Sequence, residues 1–379
     1  MNINTLSSTT LAKDTASKLA DVLRGVPWLK EPLVTQTDKK SKVGVDFSVS
    51  LRLPDKSKVT LCVLCRRELR PSVFPVLSSQ FSRDVNQPKG CVPVLALPWV
   101  SPRMVELCAE HGWSWFDLAG NYRLDVPGLL RIAHTGNPPV HVCPRPSANL
   151  GTSEAGRVIR VLLSLEHAGK IWTQREMQEQ CLPGVSLGLV NKVARHLRDE
   201  AFLETGESGG FRLSQPQKLL FAWRDAYRFD RHVKRGYFSL LNGERLRKAL
   251  RALDAEITDG GSTAYAAFSA ADFQAPHVRQ PKTWLYVREQ DLPSLEKSAE
   301  AKEVDSGENL VVLIPNDEGV FYQLDRSADG VGGEERVPCT SLVQTYVDLW
   351  HCGGRGKEAA EALLTQRLTP EWKSQGLSA

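Results

Sequence analysis

The stretch from Glu154 to Leu213 constrains this chain more than any other, because it carries the complete pattern of a winged helix-turn-helix. It opens with EAGRVIRVLLSLEHAG, where apolar residues recur at helical spacing from Val158 to Ala168. A second helix begins at Thr173. Glu176 follows it at the T-x-x-E spacing of a capping box, in which each side chain bonds the other residue's backbone N–H. The stretch therefore begins with two helices, the second of them capped.

A third helix, LGLVNKVARHLRDE, follows the chain break at Pro183-Gly184, and Ser186 is its predicted N-cap. The apolar face of this helix carries Val190, Val193, Ala194 and Leu197. The opposite face carries Gly188, Asn191, Lys192 and Arg195, with Arg198 on its flank. The segments AFLE, TGESGG and FRL then predict a strand, a glycine-rich turn and a second strand, which together form a wing.

This order of elements is the one that a module reading the DNA major groove needs. Small and amide side chains allow close approach, asparagine can pair with adenine, and arginine can pair with guanine. The residues placed to meet base edges are Ser186, Gly188, Asn191, Lys192 and Arg195. The residues expected to hold backbone phosphates are Thr173, Gln174, Arg175 and Arg198. Winged helices also serve as protein-docking modules, and that alternative stays open.

Two further regions hold candidate phosphate contacts. The wing offers Arg212, although Glu204 and Glu207 beside it would repel phosphate. The segment after the wing, QPQKLLFAWRDAYRFDRHVKRGYFSLL, interleaves basic and aromatic residues, and Arg228 and Arg231 are its candidate DNA contacts. This segment is either a phosphate-tracking extension or a solvated connector helix.

Length and charge set the limits of this interpretation. A chain of 379 residues should hold two or three domains. A net charge of only +4 means that any affinity for nucleic acid must come from local patches. No apolar run is long enough to span a bilayer, and the N-terminus lacks the pattern of a signal peptide. We therefore expect a cytoplasmic protein with no membrane partner.

The eight cysteines are expected to be buried thiols. Cys62 and Cys65 form a C-x-x-C pair, but no second pair or histidine motif accompanies them, so we expect no metal site. They also stand in a run typical of a strand, KVTLCVLC, where their spacing places them on opposite faces.

Composition and pattern divide the chain into three predicted domains: residues 1–148, 149–215 and 216–379. The first alternates helices and strands, beginning with a helix from Leu11 to Leu23 and a hairpin of KVGVDFSVSLRL and VTLCVLCRREL. The third contains the basic connector, the predicted helices ERLRKALRALDA, TAYAAFSAADF, SLVQTYVDLW and GKEAAEALLTQRL, and the predicted strands KTWLYVRE, NLVVLIP and GVFYQLD. The predicted fold class is α/β (α+β) and multidomain, with a winged helix-turn-helix at the centre.

The C-terminal stretch SLVQTYVDLWHCGGRGKEAAEALL, with GGSTAYAAF and NLVVLIP, resembles AbiEi-family antitoxin-like proteins. The residues that carry the resemblance are Val343, Gln344, Tyr346, Asp348, Leu349, Arg355, Gly356, Glu358, Ala359 and Ala360. The resemblance covers about the last 230 residues if the winged helix is counted. It implies a winged-helix transcriptional regulator of a type IV toxin-antitoxin system. For Gln344, Tyr346, Asp348 and Arg355 the residues themselves favour a polar network between helices over a catalytic site.

The block before the winged helix resembles a restriction-endonuclease-like domain, through VGVDFSVSL, VTLCVLCRREL and the segment ending in DLAGNYRL. Active members of that class hold Mg²⁺ between an aspartate on one strand and a Glu-x-Lys on the next. Asp46 would be the first ligand, but the second strand offers Cys65 and Arg66, with no acid before Glu68. The domain is therefore expected to be inactive. Asp117–Asn121 is interpreted as turn chemistry.

These observations predict a sequence-specific DNA-binding transcriptional regulator without catalytic residues, metal or cofactor. The resemblance implies an autorepressor that counteracts a nucleotidyltransferase-type toxin. One reading helix gives limited specificity, so a homodimer on an inverted-repeat operator in double-stranded DNA is expected. Two alternatives stay open: a Mg²⁺-dependent nuclease that uses Asp46, and an adaptor that binds a toxin or defence partner without binding DNA.

Overall fold

The structure is a computed structural model that describes residues 8–36, 44–84, 90–140, 148–206, 209–256, 263–326 and 337–377. The chain divides into two compact units, residues 1–145 and 146–379. Both units combine helices with a β-sheet, which confirms the mixed α/β fold class. Among the helices in these ranges, none has the length and apolar character needed to cross a bilayer.

The described part of the first unit is built on a seven-stranded sheet whose strands lie side by side in chain order. The strands are β1 (Lys30–Gln36), β2 (Phe47–Arg52), β3 (Lys58–Cys65), β4 (Cys91–Leu97), β5 (Ser114–Asp117), β6 (Tyr122–Val126) and β7 (Leu130–His134). The helices are α1 (Ser8–Arg24), α2 (Phe74–Arg83) and α3 (Pro102–Glu110). β3, β4 and β5 run parallel, and the other neighbouring strands are antiparallel.

The predicted opening helix is α1, and the predicted hairpin is β2 and β3, with Phe47 opposite Val63. The sequence does not predict β1, which contains Pro32. β1 lies at the edge of the sheet, where a proline need not interrupt the hydrogen-bond ladder. The predictions of the opening helix and of the hairpin are therefore confirmed, and β1 is an additional strand of the sheet that the sequence did not predict.

β3 is buried on both faces, as expected of a strand inside a partly parallel sheet. Val63 and Cys65 pack into the core that includes α1, whereas Cys62 and Leu64 pack with residues of α2 and α3. The prediction that Cys62 and Cys65 lie on opposite faces is confirmed.

The expectation that every cysteine is a thiol is wrong. Cys62 is disulfide-bonded to Cys91, with Cα atoms 6.0 Å apart. The parallel pairing of β3 with β4 places these two positions within the span of a disulfide. The free cysteines in the described residues are Cys65, Cys108, Cys181, Cys339 and Cys352, the last of them half-buried. Cys143 lies outside the described residues.

The turn between β5 and β6 is held by Asp117. One carboxylate oxygen of Asp117 accepts hydrogen bonds from the backbone N–H groups of Ala119 and Asn121, both at 2.9 Å. The other oxygen accepts a hydrogen bond from the Asn121 amide, also at 2.9 Å. The interpretation of Asp117–Asn121 as turn chemistry is confirmed, and β7 pairs with β6 after this turn.

The second unit begins with the predicted winged helix-turn-helix. Its elements are α4 (Ser153–Leu163), α5 (Gln174–Gln180), α6 (Leu187–Asp199), β8 (Leu203–Thr205) and β9 (Phe211–Leu213). α4 ends at Leu163 and not at Ala168, because Ser164 takes an extended backbone conformation and a short 3-10 turn, Leu165–His167, follows.

The remainder of the second unit surrounds a five-stranded sheet in the order β11-β12-β14-β10-β13, counted over the described residues. The elements are α7 (Pro216–Ala226), β10 (Val233–Ser239), α8 (Gly243–Glu256), β11 (Thr263–Tyr265), α9 (Ala267–Gln274), β12 (Thr283–Val287), α10 (Leu292–Ser298), β13 (Ala301–Glu303), β14 (Leu310–Ile314), α11 (Leu342–His351), α12 (Gly356–Leu363) and α13 (Thr369–Ser374). A π-helical segment, Leu364–Leu368, joins α12 to α13.

The central strand β14 shows how the two faces of this sheet are covered. Leu310 and Val312 pack with residues of α8 and α10 on one side. Val311 and Leu313 point the other way, into a core shared by α9, α11, α12 and the winged helix. Strand side chains alternate between faces, so a fully apolar strand such as NLVVLIP is stable only when both faces are covered.

Three predicted elements of this unit differ in the structure. The segment GVFYQLD was predicted as a strand, but its first residues lie in a 3-10 turn, Glu318–Phe321. TAYAAFSAADF is a short strand, β11, followed by the helix α9. The basic connector is not one helix, because α7 ends at Ala226 and β10 joins the sheet between β13 and β14. In the last two cases pairing with other strands decided the local structure.

The winged helix and the segment after it share one hydrophobic core. Val190 and Leu197 of α6 belong to the same cluster as Trp223 of α7, Leu349 of α11 and Trp372 of α13. The sequence predicts a domain boundary near residue 215, and that division stays a prediction. What the structure gives is one compact unit that contains both parts.

Candidate nucleic-acid interface

The two helices expected to meet DNA are both capped as the sequence predicts. Thr173 accepts a hydrogen bond from the Glu176 backbone at 3.2 Å, and the Glu176 carboxylate accepts one from the Thr173 backbone at 2.8 Å. Ser186 accepts a hydrogen bond from the Leu189 backbone at 3.2 Å. The capping box and the N-cap of α6 are therefore confirmed.

The α6 cap carries a stability prediction. Replacing Ser186 by alanine should lower the free energy of unfolding by about 1 kcal/mol, because the Leu189 N–H loses its acceptor. Urea denaturation followed by circular dichroism measures the change. Ser294→Ala, at an exposed position on α10, is the control. Equal effects of the two substitutions would contradict the capping role.

α6 is anchored by its inner face and leaves its outer face open. Val190, Val193, Ala194 and Leu197 are fully buried. The outer positions Ser186, Gly188, Asn191, Lys192 and Arg195 are exposed, and Arg198 is half-buried. A Cβ atom at Gly188 would come no closer than 4.0 Å to its nearest neighbour, so the fold itself does not require glycine there. The predicted division of this helix into two faces is confirmed.

Two of the residues expected to meet DNA contact each other. The Gln174 amide donates a hydrogen bond to the Asn191 side-chain oxygen at 3.1 Å. This bond ties the start of α5 to the outer face of α6. It leaves the Asn191 amide nitrogen available to a base or phosphate.

Four cations of the helix-turn-helix are free. The side chains of Arg175, Lys192, Arg195 and Arg198 make no hydrogen bond or ion pair with any described residue. A surface ion pair is worth at most about 1 kcal/mol, but a free cation has no such pair to break before it meets a phosphate. α6 thus carries three cations, and α5 one, that have no partner among the described residues.

The cation of the wing, in contrast, has an internal partner. Arg212 stands opposite Glu204 across β8 and β9, and its side chain is hydrogen-bonded to the Glu204 carboxylate. A third strand segment closes the wing, because Trp172 and Phe211 exchange backbone hydrogen bonds at 2.7 and 2.9 Å. Gly210 is needed here, since a Cβ atom would lie 2.8 Å from the Trp172 carbonyl oxygen. Glu207 lies outside the described residues.

Lys170 lies at the base of the wing, and no motif of the sequence singles it out. Its ammonium group stands 3.9 Å from the centre of the Trp172 ring, and its side chain is exposed. The contact arises because Trp172 is drawn into the core beside β9. This long-range pairing of Trp172 with Phe211 is what places Lys170 beside the wing.

The basic segment after the wing is held largely by internal contacts. Arg224 lies between the rings of Phe221 and Trp350, at 4.6 and 4.1 Å from their centres. Arg228 forms an ion pair with Asp230 at 2.6 Å. Leu219, Leu220 and Trp223 bury one face of α7. The choice between a phosphate-tracking extension and a solvated connector stays open.

A buried polar network joins the winged helix to the C-terminal segment. Arg160 of α4 donates to the side-chain oxygen of Gln344 at 2.7 Å. The Gln344 amide donates to Asp348 at 2.7 Å and to the Tyr227 hydroxyl at 2.8 Å. The hydroxyls of Tyr227 and Tyr286 both donate to the same Asp348 oxygen at 3.1 Å. The polar network predicted for Gln344 and Asp348 is confirmed, and it extends well beyond two helices.

The other two residues of that prediction lie elsewhere. Tyr346 accepts a hydrogen bond from Arg224 at 3.4 Å. Arg355 pairs with Glu358 at the surface and takes no part in the network. Burial raises the pKa of Asp348 to about 7, and the hydrogen bonds and the nearby Arg160 charge only partly oppose that effect.

In the first unit, the Asp46 carboxylate is engaged by the protein. It accepts a hydrogen bond from the Cys65 backbone at 2.8 Å and lies 3.4 Å from Arg66. Burial raises the pKa of Asp46, and these two contacts oppose the rise. Glu68, beyond β3, is exposed. The resemblance of this unit to a restriction-endonuclease-like domain stays a prediction.

Residues 212–369 match a family model described as "Transcriptional regulator, AbiEi antitoxin, Type IV TA system". The resemblance predicted from the C-terminal motif is thereby confirmed over that range. The match begins inside the wing at Arg212, so α4, α5 and α6 lie before it. No curated protein and no solved structure matches the chain.

Proposed function

We propose that this protein is a sequence-specific DNA-binding transcriptional regulator that reads the major groove with α6. The observation that carries the proposal is the contrast between two sets of cations. Those on α5 and α6 pair with no described residue, whereas Arg212 and Arg228 each form an ion pair with a neighbouring carboxylate. Free cations on a helix anchored by a fully buried face are what a reading helix requires.

The residues divide by their place on the helices. Asn191, Lys192 and Arg195 lie on the exposed face of α6 and meet base edges. Thr173, Gln174 and Arg175 stand at the start of α5, where a helix N-terminus favours a phosphate. Ser186 and Gly188 allow close approach at the start of α6.

The family match of residues 212–369 supports a wider role in the same system. The protein represses its own operon as a homodimer on an inverted repeat, and it counteracts a toxin of nucleotidyltransferase type. A two-fold symmetric pair of α6 helices would read two half-sites about one helical turn apart.

A mobility-shift titration tests the proposal. The full chain should retard a duplex taken from upstream of its own coding sequence, and should bind a scrambled duplex of equal length much more weakly. Affinity should fall steeply with salt, because phosphate contacts release counterions. A chain that binds neither duplex and passes through heparin unretained would refute DNA binding and favour the adaptor.

Arg198→Ala should weaken binding to both duplexes by a similar factor, because Arg198 lies on the flank of α6 and contacts phosphate. The slope of log affinity against log salt should become shallower by about 1. Arg245→Ala, at an exposed position on α8, is the control. An unchanged slope would show that Arg198 makes no phosphate contact.

A further inference from the structure

A small polar cavity lies at the start of α4, away from the outer face of α6. Its lining includes the segment Gly151–Ser153, Gly156, Arg160, Trp223 and Arg231. The cavity volume of about 30 Å³ compares with roughly 10–15 Å³ for one water molecule, so it has room for a small polyatomic ion and not for a nucleobase.

Arg160 brings an unmet hydrogen-bond donor to this cavity. Its side chain is 3% exposed, and its Nε atom donates to Gln344. Its Nη1 atom has no hydrogen-bond partner in the part of the chain that the structure describes, where the Asp317 carboxylate oxygen is 4.0 Å away. Burying a guanidinium nitrogen without an acceptor costs free energy of folding, so a ligand that supplies an acceptor here would be favoured.

Asp317 cannot easily serve as that partner, because both of its oxygens are already engaged. One oxygen accepts hydrogen bonds from the Arg157 side chain, at 2.9 Å for Nε. The other accepts from the Gly319 backbone at 2.9 Å. Arg157 therefore takes up one oxygen of Asp317 and Gly319 the other, so neither is left to accept a hydrogen bond from Arg160 Nη1.

The remaining walls also suit an anion. The dipole of the 11-residue helix α4 is positive at its N-terminus. Thr152 caps the Ala155 N–H at 3.3 Å, so the N–H groups of Ser153 and Glu154 are the ones left for an ion among the described residues.

Gly156 has no side chain to occupy the space beside Arg160. A Cβ atom there would lie 3.1 Å from Arg160 Nη1 and 3.7 Å from Trp223 Nε1. Arg231 is exposed at the rim, and its side chain reaches the Gly151 carbonyl at 3.4 Å.

We propose that this cavity binds a phosphate group. Backbone N–H groups at a helix N-terminus together with a guanidinium form a phosphate site of standard chemistry, and an oxygen of the ion would accept from Arg160 Nη1. The group is either free phosphate or a backbone phosphate of DNA, and both present the same oxygens. The site does not rest on the proposed function, since free phosphate would bind even to a chain that binds no DNA.

Titration of the full chain with inorganic phosphate tests the site. Calorimetry and thermal melting are run at pH 8 against sodium chloride of equal ionic strength. Phosphate should bind and raise the melting temperature. Arg231→Gln should weaken binding about tenfold, as expected for one lost charge-assisted hydrogen bond. Gly156→Ala, which fills the space beside Arg160, should abolish it.

Arg245→Gln on α8 removes an equal charge at an exposed position outside the cavity and should leave phosphate binding unchanged. Circular dichroism verifies that Gly156→Ala is folded, and Arg231→Gln tests the site independently from the surface. The proposal is overturned if the unaltered chain binds no phosphate, or if both cavity variants bind it as the control does.

Mobility shifts in phosphate-free buffer assign the source of the group. If the cavity holds a DNA phosphate, both cavity variants weaken DNA binding, and added phosphate competes at constant ionic strength. If it holds free phosphate, the variants bind DNA as the unaltered chain does. Either result supports the site. Phosphate binding without any DNA binding would retain the site and refute the proposed function.

Discussion

Replacing Arg195 by alanine is expected to weaken binding to the chain's own upstream duplex by about five- to 150-fold, or about 1–3 kcal/mol. Arg195 is exposed on the outer face of α6, one turn after Asn191. Its guanidinium is free of internal ion pairs within the described residues, so it can form two parallel hydrogen bonds to a guanine. Competition mobility shifts measure the change.

The affinity of Arg195→Ala for the scrambled duplex distinguishes a contact with a base from a contact with the DNA backbone. The loss on this duplex should be much smaller than on the upstream duplex, because a base contact is made only at the correct sequence. Arg245→Ala should leave both affinities unchanged, and the melting temperature shows whether each variant is folded. Equal losses on the two duplexes would mean that Arg195 contacts the DNA backbone, and the orientation proposed for α6 would then be wrong.

Replacing Asp348 by asparagine is expected to stabilise the protein at pH 8. Burial raises the pKa of the Asp348 carboxyl from 3.8 to about 7, so the folded state holds a proton that the unfolded state releases. The contribution of this group to stability therefore falls as pH rises from about 4 to about 7. At about 1.4 kcal/mol per pKa unit, the loss is on the order of a few kcal/mol.

Asparagine fits the site and does not titrate. It keeps the oxygen that accepts hydrogen bonds from Gln344, Tyr227 and Tyr286. Its amide replaces the second carboxylate oxygen, which has no hydrogen-bond partner. The variant and the unaltered chain should therefore be about equally stable near pH 4, with the variant more stable above pH 7.

Urea denaturation at a series of pH values, followed by tryptophan fluorescence, measures the difference between the two proteins. His232, hydrogen-bonded to Tyr227 at 2.8 Å, titrates in the same range with the opposite sign. Burial first, and then the Arg160 charge, lower its pKa to about 4, so its contribution to stability increases from pH 4 to pH 6.5. Because His232 is present in both proteins, its effect cancels in the comparison. A difference that does not change with pH would contradict the role of Asp348.

The helix-turn-helix could be predicted in detail because its signals are local. The Thr173–Glu176 box and the Ser186 cap each join residues three apart, and the burial of Val190 and Leu197 follows from the helical period. The strand β14 could also be predicted, because NLVVLIP is a short apolar run. Its successive side chains then pack into two different cores, since side chains alternate between the faces of a strand.

Contacts between distant residues were outside the reach of the sequence. Arg160 and Gln344 are 184 residues apart, and Asp348 meets Tyr227 across 121 residues. The carboxylate partners of Arg212 and Arg228, Glu204 and Asp230, lie close to them in the sequence. Only the folded arrangement shows that these two pairs form, whereas Arg195 pairs with no described residue.

The sequence by itself determined the helices α4, α5 and α6, their caps and the two faces of α6, because each depends on residues within one or two helical turns. It also determined, through the motif around Gln344 and Asp348, the family that residues 212–369 match. Only the tertiary structure decided that the winged helix shares its core with the C-terminal segment, and which cations stay free. The burial and the raised pKa of Asp348 depend on which distant side chains come together, and no local spacing encodes that.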